Sequence, residues 1–467
     1  MQYSIVSKSN IEGAFRINSE YYQPKFLASE KLILSKNYEL LEKLSIKITD
    51  FGAYSQNNII EYKQNGFAVF IRNQDIHDFF INDTESIYID KEVYEQLSLH
   101  LEQNDILIQR VGSLGKASIV LPKDLPSTAN QNLAQVKIKS NKINPFYLIC
   151  YLNCQFGISS FERLQTGNVQ PWLNLQQICS LKIPVFSDVF QNTIEVLVKE
   201  AFGKQGESKE LFKESQSILL SELGLTNWQP KHQLSFVKNY SDTEQAERVD
   251  AEYFQPKYEE IEQSIKEYSG GYSTIGAEFK QNKSTFKIDN KKVYQYVEIG
   301  SVNVSNGEIL ANEVIGEELP ANAKRALKKN DVIVSKVRTY RGAITIVEEN
   351  GYVGSGAFTV LRENGRINKE TLFAFLHSKP LLAWSLKPNT GTSYPVIVDN
   401  DILNLPIPLL PESKQLEIQQ KVNESSSLRK QSKLLLECAK RAVEIAIEQD
   451  EKTAIKWLEN ETKEMQI

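Results

Sequence analysis

At 467 residues the chain is about three times an ordinary domain in length, so two or three hydrophobic cores are expected. A hydrophobic content of 41% with 24% charged residues fits folded globular material and excludes a disordered or fibrous chain, while only four cysteines argue against a secreted disulfide scaffold. No window approaches the ~18 consecutive apolar residues of a membrane span, and the N-terminal stretch lacks a signal peptide's apolar core, so the cytoplasm is the expected compartment.

In chain order, the first landmark is RINSEYYQPKF (Arg16–Phe26), followed by a short helical stretch. Segments rich in β-branched residues come next, separated by turn signals: GFAVFIRNQDI, DILIQRV, KASIVL and LAQVKIK read as strands. An apolar helical run covers Phe146 to Phe156 and holds Cys150 and Cys154, expected as core residues because no second Cys or His pair completes a zinc site. A Thr166-Gly167 loop, an extended Ile183-Pro184 segment and a long amphipathic stretch from Gln191 to Leu223 close the half, with Gly203 and Gly206 as expected bending points.

The second half repeats this plan. Arg248–Tyr258 (RVDAEYFQPKY) matches Arg16–Phe26 at an offset of 232, and Asp331–Val337 (DVIVSKV) matches Asp105–Val111 (DILIQRV) at 226. Thr390-Gly391, Ile407-Pro408, Gln415 and Ile418 match Thr166-Gly167, Ile183-Pro184, Gln191 and Ile194 at 224. A collinear series whose offset drifts this little is the mark of a duplicated domain. YQYVEIGSV, DVIVSKV, GAITIV and GAFTVL read as its strands and Leu372 to Leu386 as its apolar helix; Glu412 to Leu458 places an apolar stripe along one closing helix. Charge separates the copies: residues 27–170 hold 14 Lys/Arg against 16 Asp/Glu, residues 270–395 hold 17 against 12, and the whole chain is at −5. A local basic face is therefore compatible with an acidic total.

These motifs, in this order and twice over, resemble the DNA specificity subunit of type I restriction-modification systems across essentially the whole chain. The resemblance implies an α+β fold of two similar α/β target-recognition domains, each followed by a long helix, the two helices packing as an antiparallel coiled-coil spacer. The expected division is a first recognition domain at 1–186, a central spacer helix at 187–230, a second recognition domain at 231–410 and a C-terminal spacer helix at 411–467. Each domain would read one half of a split target in double-stranded DNA. Two modification (methyltransferase) subunits would dock on the scaffold and restriction (endonuclease/translocase) subunits would join them, the chain itself being noncatalytic and needing no cofactor or metal.

Base-edge readout needs Arg, Lys, Asn and Gln beside turns, with other donors gripping phosphates. In the first half Arg72, Gln74, Arg110, Ser113 and Lys116 fit, with Asn130, Gln131 and Asn132 before the next strand and Thr166, Asn168 and Gln170 in the Thr-Gly loop. In the second half Lys336, Arg338, Tyr340 and Arg341 form the strongest cluster, joined by Thr390, Thr392, Ser393 and Tyr394. The repeated EYYQPKF and EYFQPKY segments suit a structural junction or a partner surface better than base contact. No Pro-Pro dipeptide, Gly-rich nucleotide fingerprint or His constellation is present, so no activity is expected of the chain alone. The rival reading is a duplicated protein-interaction scaffold without DNA specificity.

Overall fold

A computed structural model describes residues 4–9, 11, 16–52, 59–82, 86–112, 114–139, 142–167, 170–390 and 394–464. The chain divides into two compact units, residues 1–204 with 430–467, and residues 205–429.

In the first unit Pro24 starts helix α1 (Pro24–Leu34), its missing N–H falling where a helix leaves donors unpaired anyway. Strand β1 (Tyr38–Leu40) pairs antiparallel with β9 (Lys182–Pro184), the expected Ile-Pro segment. A four-stranded antiparallel sheet follows in the order β2 (Ser45–Thr49), β8 (Leu133–Ile138), β5 (Ile106–Gln109), β6 (Ala117–Ile119). A smaller sheet sets β3 (Ala68–Ile71) between β4 (Tyr88–Ile89) and, in parallel, β7 (Ser127–Ala129). Strands β5 and β6 are buried along their whole length, which accounts for the unbroken apolar runs.

The helical run at Phe146 to Phe156 is broken into α2 (Pro145–Asn153) and α3 (Gln155–Leu164). Asn153 turns its amide inward, donating to Ala117 O (3.0 Å) and Ile149 O (2.9 Å), so α2 stops where it meets β6. Cys150 and Cys154 are free and buried in the core. Burial pushes both thiols up, Cys154 to about 12, so neither is a nucleophile at neutral pH.

The second unit is built alike. Helix α5 (Pro256–Lys266) again starts on a proline, and β10 (Tyr272–Thr274) pairs with β19 (Pro406–Pro408). One sheet runs β11 (Phe279–Gln281), β18 (Phe358–Glu363), β15 (Val332–Ser335), β16 (Ile344–Ile346). The other runs β13 (Asn312–Ile315), β12 (Val293–Val297), β17 (Tyr352–Ser355), β14 (Ala323–Ala326), with β12 and β17 parallel. The apolar run at Leu372 to Leu386 is interrupted at His377-Ser378, giving α6 (Lys369–Leu376) and α7 (Lys379–Trp384). Pro380 at the start of α7 cannot extend a preceding helix.

The duplicated residues are the joints of these units. Arg16 donates to Leu164 O (2.9 Å) and Gln165 O (3.1 Å), and Arg248 to Pro388 O (3.1 Å) and Asn389 O (3.0 Å). Each guanidinium also lies over the tyrosine of its own motif, Tyr21 at 4.6 Å and Tyr253 at 4.7 Å. Asp105 and Asp331 close the turns entering β5 and β15 by accepting from Glu102 N (2.8 Å) and Lys328 N (3.0 Å). The turns themselves need positive φ at Asn104 and Asn330, a conformation asparagine tolerates. Gln191 accepts from Asn144 N (2.8 Å) and Gln415 from Asn368 N (2.9 Å), fixing each apolar helix to the start of a long one.

The long helices are α4 (Asp188–Glu222), which runs unbroken through Gly203 and Gly206, and α8 (Glu412–Glu448). The stripe to Leu458 does not continue on one helix: α8 ends before Gln449, and α9 (Glu451–Glu464) restarts with Asp450 accepting from Thr453 N at 2.8 Å. Within the first unit Ser432 donates to Ala201 O (2.7 Å), and within the second Ser208 donates to Ser425 O (2.7 Å). Both contacts are buried and are the same contact by repeat, since Ser432 follows Ser208 by 224 and Ser425 follows Ala201 by 224. Among the described residues no helix is long and apolar enough to cross a membrane.

Candidate nucleic-acid interface

Three of the segments singled out in the sequence meet at one place in each unit. In the first, Arg110 N at the end of β5 donates to Asn132 O (2.9 Å), and Leu173 N donates back to Arg110 O (2.8 Å). One step on, Gly112 N donates to Pro171 O (3.3 Å), while Thr166 and Trp172 exchange backbone hydrogen bonds of 3.0 and 2.9 Å. The turn after β5, the Asn130–Asn132 turn and the Thr-Gly loop thus lie side by side. Asn73 Nδ2 donates to Val111 O (3.0 Å), which brings the turn carrying Arg72 and Gln74 to the same corner.

The second unit reproduces most of this frame in its main chain, although Val396 N donates to Asn389 Oδ1 (2.8 Å) where Trp172 N donates to Thr166 O. Lys336 N donates to Ala357 O (2.9 Å), Ile397 N to Lys336 O (2.9 Å) and Arg338 N to Pro395 O (2.8 Å). Gly112 and Arg338 occupy equivalent left-handed positions, with φ of 85° and 51°. Glycine pays no steric cost there, whereas Arg338 is held by its backbone bond and by its guanidinium over the Tyr394 ring at 4.5 Å. Gly115 and Gly342 also share positive φ, at 91° and 88°.

The frame matches, but the side chains on it differ in how far they are committed. Arg110 is half-enclosed: it pairs with Asp50 and donates through Nε to Leu173 O (3.1 Å) and through Nη1 to Gln131 O (3.3 Å). Arg72 forks onto Asp75 at 3.0 and 2.8 Å, and Gln74, with its amide set to satisfy that network, accepts from Arg72. Lys336 lies 3.2 Å from Asp399. Burial would raise the Asp399 carboxyl, but hydrogen bonds from Thr359 and Gln281 and the charge of Lys336 outweigh it and hold the group below its ordinary value. Asn130 accepts from Asn132 N (3.1 Å), an internal turn bond.

The remaining residues face outward. Arg341, Thr390 and Tyr394 are exposed in the second unit, with Tyr340 half-buried beside them; Gln170 is exposed in the first, with Lys116, Gln131, Asn132 and Thr166 half-buried. Ser113, Asn168, Thr392 and Ser393 lie outside the described residues. Two further groups were not singled out in the sequence, Trp172 beside the Thr-Gly loop and a set of lysines around the turn that enters β15. Trp172 is exposed and is stapled to Thr166, and no periodicity marks an aromatic in a loop of this kind. Lys283, Lys324, Lys328 and Lys329 are exposed and, among the described residues, make no ion pair. They are drawn together by Ala326 N donating to Ser284 O (3.2 Å) and Arg325 Nη1 to Lys283 O (3.2 Å). Their separation of some 40 residues hides them from a linear reading, although the excess of Lys/Arg over 270–395 is their trace. In the first half Glu102 and Gln103 stand where Lys328 and Lys329 stand in the second, at the offset of 226.

The histidines belong to the frame or the surface. His377 is buried, 2.8 Å from Ile344 O through Nε2, in the place that Asn153 holds in the first unit. Burial lowers its pKa to about 4, against a partial rise from that carbonyl. His100 stacks on Tyr94, with centroids 4.3 Å apart. Among the described residues no group of His, Cys, Asp and Glu could hold a metal ion.

Residues 270–435 match the family described as Type I restriction modification DNA specificity domain. Among solved structures, the chain is similar to the S subunit of a type I restriction-modification system from M. genitalium at 13% identity and a TM-score of 0.41, covering 91% of this chain and 96% of that one. The HsdS subunit from Thermoanaerobacter tengcongensis is similar at 12% identity and a TM-score of 0.30, covering 89% and 97%. No curated protein matches the chain. Residues 270–435 thus resemble a type I restriction-modification DNA specificity domain, and the first half of the chain repeats the same plan.

Proposed function

We propose that each half carries a target-recognition domain, at 1–186 and 231–410, that reads one half of a split sequence in double-stranded DNA. The segments 187–230 and 411–467 serve as spacer helices that pair as an antiparallel coiled coil, a pairing supported by the buried Ser432 to Ala201 and Ser208 to Ser425 contacts. A helix of about 35 residues is on the order of 50 Å long, one to two turns of duplex at ~34 Å per turn. The chain works in the cytoplasm without catalytic groups of its own, directing modification and restriction subunits.

One observation carries the reading: the two units hold equivalent turns on the same backbone hydrogen bonds while presenting different side chains, GSLGK in one and RTYRG in the other. A protein that must grip two unlike half-sites with one architecture needs this division between constant frame and variable tip. Arg338, Tyr340, Arg341, Thr390 and Tyr394 are the contact set on the second domain, with Lys283, Lys324, Lys328 and Lys329 on phosphates. On the first domain the set is Lys116, Gln131, Asn132, Thr166 and Gln170. Arg72, Gln74, Arg110, Asn130 and Lys336 act from within their ion pairs and turn bonds, orienting the tips. Ser113, Asn168, Thr392 and Ser393, outside the described residues, are included in the contact set on their sequence positions alone.

Docking of two copies of one modification subunit is supported by a second equivalence. Ile17 and Val249 are each 89% exposed, and Ile5 and Val237 are 90% and 94% exposed, both pairs at the offset of 232. Matching apolar residues left in solvent at matching places fit the same partner surface binding twice.

Methylome sequencing of cells carrying this chain with its modification subunit is expected to return a split motif with two unlike halves. A continuous motif, or no modification, would refute the assignment and favour the scaffold reading.

A further inference from the structure

A cavity of about 430 Å³ opens in the first unit between α1 and α3, with Phe26, Glu30, Ile33, Ser160, Arg163 and Lys182 among its walls. That size lies within the range that takes small organic ligands. The duplication provides an internal control for what belongs there. Helix α3 packs on α1 as α7 packs on α5, and the two packing helices start 224 residues apart. At that offset Ser160 corresponds to Trp384 and Arg163 to Lys387; at 232, Phe26 corresponds to Tyr258 and Glu30 to Glu262.

In the second unit Trp384 fills this position. It is 8% exposed and donates through Nε1 to Glu262 Oε1 at 2.9 Å, an oxygen that also accepts from Lys387 Nζ at 2.5 Å. In the first unit Glu30 keeps the corresponding cationic partner, Arg163 at 2.5 Å, together with Lys182. The indole has no counterpart, because a serine stands where its side chain would begin. Carboxylate oxygens carry two lone pairs each, so a third donor can join at Glu30 beside Arg163 and Lys182. The first unit therefore retains the acceptor and the space but lacks the ring.

We propose that this cavity binds a planar aromatic ring carrying an N–H donor, indole in size and shape, with Glu30 as the acceptor. Phe26 and Ile33 supply the apolar walls, and Ser160 is the small residue that keeps the site open. The site is independent of DNA recognition.

The test uses the full chain and two probes, indole and N-acetyltryptophanamide, titrated by calorimetry and thermal shift against wild type and Ser160→Trp. The expected result is a saturable rise in Tm for wild type with indole, and a Ser160→Trp variant that is at least as stable as wild type and no longer responds. Binding of both probes assigns the site to an aromatic side chain of another polypeptide, and binding of indole alone assigns it to a free heterocycle. Either supports the proposal. Absence of binding to wild type would make the cavity an unfilled packing space, and undiminished binding to Ser160→Trp would place the ligand elsewhere; both overturn it. Should Ser160→Trp fail to fold, intermolecular NOEs between indole and the Phe26 ring in wild type decide, their absence counting against the site.

Discussion

His377 and Asn153 show one structural task met by two side chains, each tying an apolar helix to a β-hairpin through a main-chain carbonyl. The choice has a pH signature. A group whose folded pKa is depressed from 6.5 to about 4 binds fewer protons folded than unfolded, so its stability contribution is present above 6.5 and is lost as pH falls towards 4. Unfolding of the second unit is expected to become easier across that window, and His377→Asn should flatten the dependence when urea midpoints are compared at pH 7 and pH 4.5. The motif arginines make a second prediction. Arg16→Ala strips partners from Leu164 O and Gln165 O and should cost about 1–3 kcal/mol in chemical denaturation; Arg16→Lys should recover little, because an ammonium cannot fork across two carbonyls. The same substitutions at Arg248 should behave alike. At this scale the sequence was a partial guide. It marked Arg110 and Lys336 as conspicuous but not their partners, since Asp50 and Asp399 are about 60 residues away along the chain and only folding brings them near.

The strands and helices were legible where their pattern is local. Unbroken apolar runs became the fully buried β5 and β15, and both prolines after the motif glutamine became helix starts. Helix ends were less legible, because they depend on what the helix meets. The end of α2 follows from Asn153 reaching β6, and the end of α8 from the Asp450 cap, neither of which interrupts the apolar period. The serines on α4 and α8 were invisible to a hydrophobic count, being small and polar inside a stripe. Ser208 is 4% exposed and Ser425 is 2% exposed, so there is no room at this contact. Ser208→Leu is expected to destabilise the second unit by about 1–3 kcal/mol through overpacking, seen as a lower Tm, whereas Ser208→Ala should cost less. Equal Tm values for the two variants would show the contact to be loose.

For the molecule as a whole, the duplication predicts divisible function. Replacing residues 27–186 with the first module of a related subunit should change one half of the methylated motif and leave the other intact. The charge difference between the halves adds a quantitative expectation for the second. Each phosphate contact removed should reduce the salt slope of DNA affinity by about 0.9, so Lys328→Glu with Lys329→Glu should flatten log K against log salt, with little change in which sequence is preferred. Measured by fluorescence anisotropy with the modification subunit present, an unchanged slope would place DNA on another face. The fold was readable at this scale because the repeat offsets are a property of the whole sequence. The lysine face was not, because residues near 283 and near 328 become neighbours only through the pairing beside β14. The bonds from Gly112 to Pro171 and from Arg338 to Pro395 run between main-chain atoms, so no side-chain change in either turn, proline at the donor position excepted, removes a partner from them. A gene encoding such a chain can accumulate substitutions at the tips, or exchange an entire tip by recombination at the flanking motifs, and the product still folds; new targets are reached without passing through broken intermediates.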